Sequence, residues 1–448
     1  MSEENSGAGT EAPESEPVWK KSGQARVPAA IMRFLAGQDV ELDRELLPFD
    51  IRASCAHARG LARIGVIGDD EAAAVCRELD ALARAFEAGE FVLDRRFEDG
   101  HSAIEVWLTE RLSETGKRIH TGRSRNDQVA VALRLYLKDR LDRLVGVCCD
   151  IAEVALARAG RERDVPMPGH THLQQAMPSS LGLWWAGHAE AFVDDAELAG
   201  LLRGWLDASP LGTASGFGVN IALDRDGVAD ELGFGRLVVN PQNAQAQRGK
   251  VELRALDALA AATGDLRRLA WDLSLYASRE FGYANVPAEF CTGSSIMPNK
   301  LNPDCVELLR ALHASVVGAR AELDAVLSLP SGYQRDLQDT KPPLIRAFAR
   351  GLEGLALVPA LLAGIEWNEE RMREAIGPAM HATDRANELV AGGMSFRDAY
   401  RKVGDELDAL GRRDAAESLA ARVSPGGCGD LELGRIEARL NEIRANRE

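Results

Sequence analysis

The 448-residue sequence lacks most of what would place it on a nucleic acid or in a membrane. Positive charge is in deficit: 53 Lys and Arg against 69 Asp and Glu leave a formal net charge of -16, the opposite of the basic field that phosphate backbones and anionic lipids require. No apolar run approaches the length of a bilayer span, and the first residues show no basic segment followed by an apolar core. These absences predict a cytoplasmic protein with neither nucleic acid nor membrane as partner. The seven cysteines (Cys55, Cys76, Cys148, Cys149, Cys291, Cys305 and Cys428) contain no CxxC pair and no Cys/His cluster at zinc-ligand spacing. They read as reduced packing thiols, and no metal is expected. No GxGxxG or GxxxxGKS/T follows a candidate strand, so neither a Rossmann domain nor a P-loop is supported.

What is present is helical periodicity in an ordinary globular composition, 46% hydrophobic and 27% charged. Residues 1–24 are acidic and rich in Ser, Gly, Pro and Glu, which predicts a flexible tail. Beyond it, Leu133, Leu137, Leu141, Leu144, Cys148, Ile151 and Val154 recur at three- and four-residue steps, one apolar stripe of a long helix. Proline-free segments at 121–165, 179–209, 242–286 and 304–329 share this pattern and are bounded by Pro or Gly. Strand-like alternation of period two is scarce. The fold class is therefore all-α, with long antiparallel helices forming a bundle; stripes of this length also predict packing against other subunits.

The segment GSSIMPNKLNPDCVEL at 293–308 is the most chemically loaded. A Gly-Ser-Ser turn is ordinarily a linker, but here it is tied to Lys300 and Glu307, so one loop and the helix after it supply a hydroxyl, an ammonium and a carboxylate. Asn302 and Pro303 suit the loop's end and Asp304 a helix start. Upstream, HTGRSRNDQVA at 120–130 offers Arg123 and Arg125 as a local basic pair able to grip carboxylates, with Ser124 and Asn126 as neutral donors. In PMPGHTHLQQAMPSS at 166–180, His172 is suited to proton transfer near neutral pH and Thr171 adds a donor. GYQRDLQDTK at 332–341 is polar and carries Tyr333 outside any helical stripe.

These four segments, in this order, resemble those of the fumarase/aspartase superfamily and, in HTGRSRNDQ and GYQRDLQ, the argininosuccinate lyase family in particular. Weaker echoes run through EDGHSAIE, SPLGTASG, ATDRANELV and SFRDAY, so only the tail lacks a counterpart. The resemblance implies three largely helical domains, at 25–120, 121–372 and 373–448, the middle one a long bundle. It also implies a homotetramer whose active sites are shared between subunits. Its implied activity is β-elimination of argininosuccinate to L-arginine and fumarate, the last step of arginine biosynthesis, with no cofactor.

Such chemistry places a second negative charge on a carboxylate when the adjacent carbon loses its proton, giving an aci-carboxylate. Lys300 is a compact cation suited to stabilising it. By resemblance, Ser294 takes the proton from Cβ once the loop closes, with Gly293 as a hinge; Ser295 competes for that role. His172 is the candidate for protonating the leaving nitrogen, with Glu307 of another subunit orienting it. Asn126, Thr171, Tyr333, Gln338 and Lys341 carry over as substrate contacts, with Ser124, Arg123, Arg125, Gln174, Arg248 and Asn302 as further members. His101 and His120 are weaker candidates, placed near substrate without a catalytic role.

The resemblance frays at NPQNAQAQRGK, 240–250, where acidic positions of the family have become Asn243, Gln247 and Gly249, and near Asp39, which stands where relatives often carry serine. The amine half of the substrate is thus less secure than the succinyl half. Two alternatives follow: a lyase for another N-substituted succinate, and a non-catalytic relative of the crystallin kind.

Overall fold

The computed structural model describes residues 28–447, so the tail expected at 1–24 lies outside the described residues. The chain begins with α1 (Ala29–Ala36), α2 (Asp39–Arg63), α3 (Asp69–Glu87), α4 (Gly100–Leu112), α5 (Glu114–Arg118) and α6 (Arg125–Arg161). Next come β1 (Pro166–Thr171), β2 (Gln174–Ser180), α7 (Leu181–Trp205), α8 (Arg225–Glu231), α9 (Pro241–Ala246) and α10 (Lys250–Tyr276). They are followed by β3 (Ala284–Asn285), β4 (Thr292–Gly293), β5 (Leu301–Asn302), α11 (Asp304–Val326), α12 (Lys341–Gly364) and β6 (Glu366–Trp367). The chain closes with α13 (Glu369–Glu374), α14 (Ala382–Ala391), α15 (Phe396–Asp405), α16 (Ala415–Ala420) and α17 (Leu433–Ala445). The described strands form only two-stranded antiparallel pairs, β1–β2, β3–β6 and β4–β5, so the all-α class holds.

The four proline-free segments become α6, α7, α10 and α11. The fifth long helix, α12, is hidden from that reading by Pro342, Pro343 and Pro359. The first two lie in its opening turn, where an amide has no intrahelical partner to lose; Pro359 lies inside it.

The chain divides into two compact units, and α6, α7, α10, α11 and α12 each contribute residues to both. Among the described residues, the first unit comprises 28–140, 203–255 and 319–346. Its core is the junction of α2, α3 and α4, where Leu47, Ile51, Leu61, Val75, Leu79, Leu82, Ile104 and Leu108 are buried together. With Cys55 and Ala58 of the same cluster, they recur at steps of three or four residues along their helices, so each helix turns one apolar face inward. Across the same contact Cys55 and Cys76 are joined as a disulfide, with Cα atoms 5.1 Å apart. This corrects the expectation of seven thiols: the partners lie on different helices, 21 residues apart in sequence, a spacing that names no pair. The other five cysteines are free.

The second unit comprises residues 141–202, 256–318 and 347–447. Here α12 lies so close to its neighbours that a Cβ on Gly351 would meet Leu259 at 2.9 Å and one on Gly354 would meet Leu312 at 2.6 Å. Buried Arg158 caps α12, donating to the carbonyls of Leu362 and Ile365 at 2.7 Å each, which satisfies carbonyls that a helix end leaves open. The stretch Arg335–Gly364 is long and apolar enough, by length and composition, to cross a membrane; these contacts occupy its unit 2 part with protein. A ring cluster of Trp184, Trp185, Trp367 and Tyr276, with Trp184 and Trp185 centroids 4.7 Å apart, packs beside the β1–β2 hairpin's end of the unit.

Candidate active site

The Thr-His-Leu-Gln segment, whose local structure the sequence left open, is the tip of the β1–β2 hairpin. Thr171 pairs with Gln174, so His172 and Leu173 are the two turn residues, and both have positive φ, 54° and 58°. That is the twist-compatible two-residue turn of hairpins, usually made with Asn or Gly because side chains strain there. At the hairpin tip Thr171, His172 and Gln174 are all exposed. Such strained positions are held where function needs them.

In the same unit, the Gly-Ser-Ser loop is closed by a short ladder, Thr292 opposite Asn302 and Gly293 opposite Leu301. The hydroxyl of Thr292 hydrogen-bonds the carboxylate of Asp304, which opens α11. Ser294 is half-buried, and its Oγ accepts the Met297 amide at 3.1 Å. Residues 295–300, including Ser295 and Lys300, are exposed. A Cβ on Gly293 would meet nothing within 4 Å, so that glycine is not there for want of space. Glu307 is exposed in the first turn of α11. No hydrogen bond is formed between Glu307 and His172 within the chain, among the described residues.

The first unit holds the remaining candidates. The Gly-Arg-Ser-Arg-Asn-Asp turn is fixed by Asp127, whose carboxylate accepts the amides of Ser124 at 2.8 Å, Gly212 at 3.0 Å and Ala214 at 2.8 Å. Burial nonetheless pushes the Asp127 carboxyl up to about 6, against those donors. One acid thus ties HTGRSRND to SPLGTASG. The Ser124 hydroxyl accepts the Asn126 amide at 3.3 Å. Arg125 spans Glu98 at 3.2 Å, Asp99 at 3.1 Å and Ser102 at 3.0 Å, and Asp99 also caps α4 through the Ser102 amide. Arg123 is buried and donates to Ser54 at 2.8 Å, while its Nε has no partner.

Lys341 is buried between Asp39 at 2.6 Å and Asp43 at 2.9 Å. Burial opposes its charge, but Asp43 and Asp39 prevail and hold the ammonium well above its ordinary value. Burial likewise lifts Asp39 to about 6, although Lys341 pulls the other way. Gln338 donates to the carbonyls of Leu35 and Ala36 at 2.9 and 3.3 Å, so the Leu-Gln turn holds the end of α1; Tyr333 is half-buried just upstream. Arg248 is buried, 3.4 Å from the Leu337 carbonyl and 3.7 Å from Glu252.

The candidates therefore fall into two groups. His172, Thr171, Gln174, Ser294, Lys300, Asn302 and Glu307 belong to the second unit; Arg123, Ser124, Arg125, Asn126, Arg248, Tyr333, Gln338 and Lys341 belong to the first. Sequence reasoning missed the roles of the acids that fix this region: Asp43 on Lys341, Glu98 and Asp99 on Arg125, Asp127 on the turn amides and Asp50 on His101. The available signal was a carboxylate inside an apolar stripe, as Asp50 stands between Leu47 and Ile51. Among the described residues, no group of three or more His, Cys, Asp or Glu side chains is gathered to hold a metal ion.

Comparison with known proteins assigns this arrangement to a family. Residues 23–318 match the model of a family described as lyase. The argininosuccinate lyase of Stenotrophomonas maltophilia (strain R551-3) is 55% identical over 427 residues, covering 95% of this chain and 99% of that relative. That of Xanthomonas axonopodis pv. citri (strain 306) is 54% identical over 429 residues, 96% of this chain and 99% of the relative. Among solved structures, an EDDS lyase in complex with formate superposes with a TM-score of 0.78 at 22% identity, covering 94% of this chain and 92% of that one. A class II fumarase from Schistosoma mansoni reaches 0.69 at 16% identity over 86% and 94% of the two chains. The last two likenesses concern the fold, whereas the first two span nearly the whole chain at high identity, and on them the chain belongs to the argininosuccinate lyase family of the fumarase/aspartase superfamily.

Proposed function

We propose that this chain is a carbon-nitrogen lyase that splits argininosuccinate reversibly into L-arginine and fumarate, in the cytoplasm, as the last step of arginine biosynthesis. The observation that carries the reading is identity of 55% with an argininosuccinate lyase over 95% of the chain. In this reading Ser294 removes the Cβ proton, Lys300 stabilises the aci-carboxylate and His172 protonates the leaving guanidino nitrogen. The Met297 amide at Ser294 Oγ is a donor that would favour the ionised hydroxyl. Thr171, Gln174 and Asn302, with Arg123, Ser124, Arg125, Asn126, Tyr333, Gln338, Lys341 and Arg248, form the substrate-binding set.

The active enzyme is a homotetramer in which Glu307 of one subunit orients His172 of another. Support comes from large apolar side chains exposed on the long helices: Leu198 and Leu201 on α7, Trp271 on α10, Leu308 and Val317 on α11, and Leu357 on α12. Stripes like these bury against other copies. The three-domain partition at 25–120, 121–372 and 373–448 is part of the proposal, with limited proteolysis at those boundaries as its check.

A second reading keeps the elimination and changes the amine. It is favoured by the altered segment 240–250 and by the fold match to an EDDS lyase, whose 22% identity is far below that of the argininosuccinate lyases. Fumarate absorbance with argininosuccinate and with ethylenediamine-disuccinate decides between them. A strong preference for argininosuccinate is expected; turnover of the other compound alone would replace the first reading with the second.

A further inference from the structure

A buried carboxylate on α2 that no motif contains joins two of the motifs that do carry chemistry. Asp50 is 2% exposed. Its Oδ2 lies 2.5 Å from His101 Nδ1, at the start of α4. Both oxygens accept from Gln128 Nε2, in the first turn of α6, at 2.9 and 3.1 Å. Ser54 Oγ donates to Oδ1 at 3.3 Å and in turn accepts from Arg123 at 2.8 Å. A buried ion pair is a poor stabiliser compared with apolar packing, so a network of this kind is better explained by what it orients.

His101, with Nδ1 committed to Asp50, lines a small cavity in which Glu105, His120, Arg123, Arg125 and Gln128 supply the polar groups and Ile104 and Ile119 the apolar wall. We propose that Asp50 is a positioning residue for the elimination, fixing His101 through Nδ1 as a doubly protonated ring whose Nε2–H serves the anionic half of the substrate. The inference rests on the lyase reading above. It makes His101 a fixed cationic donor beside Arg123, where that reading gave the two histidines of this region no distinct roles.

The surroundings sort the two histidines in opposite directions. Burial disfavours a charged His101, but Asp50 first, then Asp99 and Asp43, outweigh it and raise the ring above its ordinary range. Asp43 is itself paired with Lys341. His120 is pushed down to about 4 by burial and by Arg123 and Arg125, with His101 adding to the effect. The two rings that line one cavity are thus pushed apart, His101 toward its charged form and His120 toward its neutral one, the division by environment that acid and base sites rely on.

The test is Asp50→Asn in the full-length enzyme, with kcat/KM for argininosuccinate measured from pH 6 to pH 8.5. The variant is expected to lose at least tenfold at pH 8 and to regain part of that progressively toward pH 6, because Asp99 and Asp43 still favour the charged ring of His101 while burial, no longer offset by Asp50, disfavours it. Wild type shows no such recovery. A loss equal at every pH, or none, would overturn the proposal, since a structural role lowers the amount of active enzyme without altering its pH profile. Should Asp50→Asn fail to fold, His101→Gln decides: a loss of at least tenfold with unchanged melting temperature supports the proposal, and wild-type kcat/KM refutes it. Absence of turnover in wild type itself would instead sink the lyase reading.

Discussion

Ser294 and Ser295 are adjacent, yet their surroundings differ in a way that bears on which could act as a base. Ser294 is half-buried with a backbone amide aimed at its oxygen, whereas Ser295 is exposed on the loop. An amide donor stabilises an alkoxide, so Ser294→Ala is expected to lower kcat by ~100-fold or more, the scale of a positioned base, and Ser295→Ala by only a few-fold. Steady-state rates with unchanged helical content check both. A different residue-scale prediction concerns Asp195, buried with one oxygen unpartnered and raised by burial, then by Asp265 and Asp194, to about 8. A carboxyl whose folded pKa exceeds its unfolded value binds its proton in the native state, so the stability it contributes below pH 4 is lost as pH rises toward 8. At ~1.4 kcal/mol per pKa unit, Asp195→Asn should therefore overtake wild type in stability by an increasing margin from pH 5 to pH 8 in denaturant titrations; parallel curves would contradict it. At this scale the sequence showed the reacting groups, because their chemistry is visible in the residue type. It did not show Asp43, Asp50 or Asp127, whose importance arises from burial and from partners 51 to 298 positions away.

Among the elements, the departures from the family pattern at 240–250 acquire physical meanings. Asn240 caps α9 through the Asn243 amide at 3.0 Å with Pro241 in the first turn, and Gln247 accepts from Arg134 at 3.0 Å. Gly249 turns the chain between α9 and α10 with φ of 78°, and a Cβ there would collide with Leu327. Gly249→Ala combines a disfavoured left-handed backbone with that overlap, so a loss of ~2 kcal/mol or more is expected, read as a lowered denaturation midpoint. Four of the five long helices were legible because their apolar stripes run uninterrupted for many turns. The fifth was concealed by prolines that its first turn tolerates. The β1–β2 hairpin was illegible for a converse reason: its turn residues, His172 and Leu173, are not turn formers, so the local code contradicts a geometry that the rest of the hairpin imposes.

For the whole molecule, a net charge of -16 and a substrate that is itself anionic require cations gathered locally. In the first unit two such cations are each balanced by two acids: Arg125 by Glu98 and Asp99, Lys341 by Asp39 and Asp43. Composition displayed the deficit and the motifs displayed the cations; Asp39 and the EDGHSAIE segment were visible too, but their pairing with Lys341 and Arg125 joins distant segments and had no local signal. The tetramer was inferred from stripe length and resemblance, and its functional consequence is specific. If sites are shared, mixed oligomers of Ser294→Ala and His172→Asn, each inactive alone, regain about a quarter or less of wild-type activity, because some sites in the mixture collect only intact residues. Co-denatured and refolded mixtures measure this.

The central claim is tested most directly by giving purified protein argininosuccinate and quantifying both products, with Ser294→Ala alongside. Fumarate and L-arginine released in equal amounts by wild type, and almost none by the variant, is the predicted result. No release by wild type, or equal release by both proteins, would contradict it.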